Sequence, residues 1–113
     1  MELAPADLKK SRFEPLRSST FFVSKVTVDN AAAASPQSEL PLTMTTIRST
    51  SAPPNFEQYS MLFIGPMDPV MSQGIYRFRH DVIGEIPLFM VPVGRDEEGT
   101  QYEVCVSRKT LGD

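Results

Sequence analysis

The side chains able to do chemistry are few and far apart. His80 is the only histidine and Cys105 the only thiol. A histidine can serve as a general base or a pH-sensitive contact. Asp81 adjoins His80, but neighbours on a strand point to opposite faces, so the two form no dyad. One histidine without a placed partner fills no set of catalytic roles. Its expected place is the end of a strand, bonded to the turn before Gly84. Cys105 would need a basic partner to lower its pKa before it became a nucleophile. Arg108 and Lys109 are near in sequence but fall in the tail, so Cys105 reads as an inert small side chain on the last strand. Asp96, Glu97 and Glu98 form the densest charge run. Three consecutive acids do not supply the alternating oxygen ligands of a calcium loop; they read as a solvated hairpin tip. No catalytic, cofactor or metal residue is assigned, and the chain reads as non-enzymatic.

What remains is surface. Gly65-Pro66 and Gln73-Gly74 bracket a loop carrying Met67, Val70 and Met71. Methionine-bearing loops make adaptable apolar contacts; the competing expectation is a plug folded over one end of the domain. Strand edges must be paired, covered or charged. Glu103 blunts the last strand, whereas the second offers Thr43, Thr45 and Ile47 with no charge before Arg48. The second strand is therefore the expected docking edge, through self-association or a protein partner. Arg77 and Arg79 share a face with Ile75, and the expectation is a solvated face with Glu103 opposite.

The elements that position these groups are strands. Three apolar runs, 59–66, 73–80 and 84–94, are each bounded by Gly or Pro, which specifies antiparallel β-structure. A short helix is expected over 7–17, limited by Pro15. Strands are expected at Thr20–Val28, Leu40–Arg48, Phe56–Ile64, Gly74–His80, Ile86–Val93 and Thr100–Val106. An alanine-bearing loop fills 29–38, and residues 107–113 read as a flexible tail. Leu42 and Met44 are expected to face inward, as are Tyr102, Val104 and Val106. The fifth strand is apolar on both faces, which predicts a doubly covered strand with Leu88 and Phe89 both buried. Gly74 is expected to hold a backbone conformation or close approach that a Cβ would obstruct. The fold class is thus all-β: one domain over 1–113, a small antiparallel barrel or sandwich of six strands with a short N-terminal helix.

Composition bounds the function class. The 113 residues carry a net charge of −3, without the basic footprint of a nucleic-acid binder. One cysteine excludes an internal disulfide. Met1–Pro5 lacks the basic and apolar regions of a signal peptide. No apolar run approaches the roughly 20 residues of a membrane span. The expectation is a soluble, cytoplasmic protein.

A resemblance runs through the strand region in order: Tyr59-Ser60-Met61-Leu62-Phe63, Gly65-Pro66, Gln73-Gly74-Ile75-Tyr76, His80 to Gly84, Leu88 to Gly94, and Tyr102 to Val106. Phe13-Glu14-Pro15-Leu16 adds to it near the N-terminus. About half the chain thereby resembles an uncharacterised bacterial family of small β-domains. The resemblance implies no activity or catalytic residue. It implies an association with phage-tail-like or cell-surface assemblies. Two readings follow: a protein-interaction or assembly domain, or a small barrel binding an apolar ligand in a cavity lined by Phe63, Tyr76, Phe78 and Leu88.

Overall fold

Alternating apolar residues on six runs leave each strand with one greasy face, and closing the sheet buries all six faces against one another. The computed structural model describes residues 8–25 and 39–110. The strands are β1 (Thr20–Lys25), β2 (Leu40–Ser49), β3 (Phe56–Gly65), β4 (Gly74–His80), β5 (Gly84–Asp96) and β6 (Gly99–Lys109). All pairings are antiparallel, and the order β1-β2-β3-β6-β5-β4 closes into a barrel through β1 and β4. Two meanders, β1–β3 and β4–β6, are thus joined along two seams. The segment at Val26–Val28, the alanine loop and residues 111–113 lie outside the described residues.

The interior is filled by side chains. Phe21, Leu42, Met44, Met61, Phe63, Phe78, Met90 and Tyr102 are almost wholly buried. Phe63 lies 5.2 Å from Phe78 and 5.4 Å from Phe21, ring centre to ring centre. Edge and tilted contacts of this kind add to the hydrophobic term. Leu42 and Met44 point inward as the alternation requires. Between Met44 and Thr46 the register with β3 shifts by one residue. This bulge brings Ile47 onto the core side, where it packs half-buried.

Several expectations are corrected. β2 is not an edge: β1 pairs with it on one side and β3 on the other. Thr43 sits between Thr20 and Ile64, and Thr45 donates its hydroxyl to the Leu62 carbonyl (3.3 Å). β5 is covered on one face only. Ile86, Leu88 and Met90 are buried, while Phe89 is 52% exposed. The closed sheet has one inside, so the second apolar row of β5 faces out. The short helix is present as expected, a single turn α1 (Lys10–Phe13) continued by a 3₁₀ turn over Glu14–Leu16. Residues 107–109, expected in a tail, belong to β6, which pairs with β3 through Lys109. Glu103 lies beside Leu62 and Val91, away from the arginines; Arg77 meets Glu85 (3.6 Å) and Arg79 meets Glu39 (2.9 Å). Of the two roles expected at Gly74, the backbone conformation is present (φ 158°) and the close approach is not, since an added Cβ would come no nearer than 3.9 Å to Tyr76. The close approach is at Gly99.

The asymmetry of β5 is testable. Leu88→Ala should cost about 2–5 kcal/mol through lost transfer energy and a residual cavity. Phe89→Ser should cost no more than about 1 kcal/mol, the worth of its cross-strand contact with Ile75. Chemical denaturation of the two variants separates these values.

Candidate functional site

At one end of the barrel the N-terminal segment lies across the opening. Phe13 and Leu16 are buried, and Phe13 packs on Tyr59 (6.2 Å between rings). The Tyr59 hydroxyl donates to the Leu8 carbonyl, and burial pushes its pKa well above that of a free tyrosine. Arg108, which belongs to β6 and not to a tail, is buried and donates to Glu57 (2.8 Å). The same carboxylate oxygen accepts the Lys10 N–H (3.2 Å), so one ion pair holds the start of α1 against β3 and β6.

His80 belongs to this end. The Val82 N–H donates to its Nδ1 (3.0 Å), as expected for a histidine closing a strand. That bond leaves the ring proton on Nε2, which faces the Ser19 hydroxyl at 2.9 Å. Ser19 in turn donates to the Leu16 carbonyl. A base that activates serine must accept the hydroxyl proton. Here the imidazole donates, and the chain of bonds fixes the 80–84 turn to the N-terminal segment.

At the opposite end the loop 66–73 crosses the opening. The Met71 N–H donates to the Tyr102 hydroxyl (2.9 Å), and the Tyr76 hydroxyl donates to the Ser72 carbonyl (2.6 Å). Thr100 donates to the Met67 carbonyl (3.3 Å). Met71 packs half-buried against the core, as a plug residue would, while Met67 and Val70 are exposed. The acidic run is a hairpin tip. Asp96 accepts the Glu98 N–H (2.8 Å) and the Gln101 side-chain amide (2.7 Å). Among the described residues, no three His, Cys, Asp or Glu side chains gather where they could hold a metal ion.

Cys105 is exposed on the outside of β6. Partial burial pushes its thiol pKa up, and the neighbouring Glu103 acts in the same sense. This is the reverse of the activation a nucleophilic cysteine needs. Arg79 holds Glu39 in a two-pronged pair (2.9 Å on each oxygen) and stacks over Phe22 at 4.8 Å. The hydrogen bonds from Arg79 hold the Glu39 carboxyl below the usual carboxylate range.

The most exposed large apolar side chain is Val82, in the 81–83 turn, and the most exposed ones on the strands are on the outside of β4 and β5. Ile75 and Phe89 are direct cross-strand partners, 56% and 52% exposed, and Val93 follows on β5. The exposed pair was hidden in the sequence by the two apolar rows of β5, since alternation does not say which row faces in.

The match to known families covers residues 8–106, from Leu8 through Val106 of β6, and the matching description is Domain of unknown function (DUF6916). The chain belongs to this family. No curated protein and no solved structure matches it. The DUF6916 region therefore contains both plugs and all six strands, except the last three residues of β6. No described helix is long and apolar enough to cross a membrane.

Proposed function

We propose that this DUF6916 chain is a non-enzymatic interaction or assembly domain, an accessory part of a larger phage-tail-like or surface assembly. The observation that carries the reading is the exposed Ile75–Phe89 pair on a barrel whose interior is already filled. Large apolar side chains left in contact on an outer face mark a surface awaiting a partner. The hydrogen bonds of His80 and the raised pKa of Cys105 leave neither group prepared for catalysis. The second reading, an apolar ligand held inside, has less to support it. Phe63, Tyr76, Phe78 and Leu88 do face inward, but they are buried against one another and the rest of the core.

A photo-cross-linking residue in place of Phe89, expressed in the cells that make the protein, tests the choice. The interaction reading expects discrete protein adducts at position 89 and none with the same residue at Thr45, which is exposed on β2. A small apolar molecule retained in native mass spectrometry, with no protein adduct at position 89, would favour the ligand reading.

A further inference from the structure

One hairpin of the barrel is only partly paired. β5 and β6 pair only from Val91–Glu103 to the turn at Asp96–Gly99. Beyond Val91–Glu103 both strands run on, β5 back to Gly84 and β6 forward to Lys109, and no described strand lies between them. The phase of the β3–β6 ladder identifies which backbone groups face this gap. The Thr110 N–H donates to the Asn55 carbonyl (2.8 Å), and the Thr50 N–H donates to the Gln58 carbonyl (2.9 Å). Backbone groups alternate sides along an antiparallel strand. Odd-numbered residues of β3 therefore bond to β6 and even-numbered ones to β2. On β6, Val104, Val106 and Arg108 turn their N–H and C=O toward β3. Cys105, Ser107 and Lys109 turn theirs toward the gap, and all three are exposed. The Lys109 carbonyl takes a bond from Arg108 (3.3 Å). Among the described residues, both backbone groups of Cys105 and Ser107, and the Lys109 N–H, have no strand partner. The facing wall of β5 is blunted by Pro87, which has no N–H to offer.

Resting on the interaction reading above, we infer that the free edge of β6 over residues 105–109 pairs antiparallel with the same edge of a second copy of this chain. A two-fold axis at Ser107 makes Ser107 a hydrogen-bonded pair with its own copy and sets Cys105 against Lys109. Main-chain groups match in phase because both edges are the same edge. The odd-numbered side chains share the outer face, so Lys109 lies diagonal to Glu103 of the second copy, at the roughly 7–8 Å of diagonal neighbours. The charges are opposite, and symmetry makes the contact twice. No like charges meet directly, and the small Ser107 at the centre lets the strands approach. The product is a continuous sheet, β2-β3-β6 followed by the same three strands of the second copy.

Opposed charge variants at the axis test this pairing. Ser107 is exposed, so Ser107→Lys and Ser107→Asp should fold like the parent, as circular dichroism and melting will show. In sedimentation velocity up to about 100 μM, the parent should dimerise, and each variant alone should associate about fivefold more weakly, as expected for like charges directly opposite. An equimolar mixture of the two should recover the dimer, since Lys then faces Asp. A dimer unaffected by either charge would overturn the β6 edge as its seat. A monomeric parent over the whole range would overturn self-pairing, while leaving the Ile75–Phe89 face to be judged by its own cross-links.

Discussion

Gly99→Ala is expected to unfold most of the molecule's stability margin. Gly99 has φ of 141° and is buried at the start of β6. A Cβ built there lies 2.1 Å from the Gly65 carbonyl oxygen, a backbone atom that cannot rotate away. Relief would require parting β3 from β6 at Gly65–Thr100, where the two strands are paired. Positive-φ strain adds about 1–3 kcal/mol to the clash. The sum should reach about 4 kcal/mol, a range few single substitutions enter. Gly94→Ala is the control, since its Cβ would meet only the Gln101 side chain at 3.5 Å. Urea unfolding should show the first variant severely weakened and the second near the parent.

Glu57→Ala is expected to be the costliest change among the polar residues. Arg108 is 7% exposed and would keep its charge without the carboxylate it donates to. Removing one partner of a buried pair costs about 3–5 kcal/mol in well-enclosed cases. The Glu57 side chain is 30% exposed, so solvent will soften the loss to about 2–3 kcal/mol. The Lys10 N–H also loses its acceptor, so the N-terminal segment should loosen in the same variant. The double variant Glu57→Leu with Arg108→Met should recover much of the stability, because it removes both charges together.

The strands were readable because apolar alternation and Gly/Pro boundaries are local signals. Leu42, Met44, Tyr102, Val104 and Val106 all face in as their spacing requires. Three features were not local. The β1-β2-β3 meander decides that β2 has two neighbours, and nothing within 40–49 records that β1 and β3 will both pair with it. The bulge at Thr45 displaces Ile47 from the outer row to the core, and a one-residue insertion in register leaves no mark on composition. On β5, both rows are apolar, so only the closed sheet determines that Leu88 is inside and Phe89 outside. Arg108 was misplaced for a related reason. A charged residue near a terminus reads as solvated, yet its partner Glu57 is 51 positions away. The free edge of β6 is invisible in sequence, because it depends on where β5 parts from its neighbour.

On the proposed reading, this domain works through surfaces its sheet leaves open, the Ile75–Phe89 face and the β6 edge. Amide hydrogen exchange read residue by residue tests it most directly. In dilute protein, the Cys105 and Ser107 amides should exchange quickly while those of Val104 and Val106, bonded to β3, stay protected. At high concentration the Cys105 and Ser107 amides should slow and the other two should not change. Fast exchange of Cys105 and Ser107 at every concentration, or protection of both already in dilute monomer, would contradict the account.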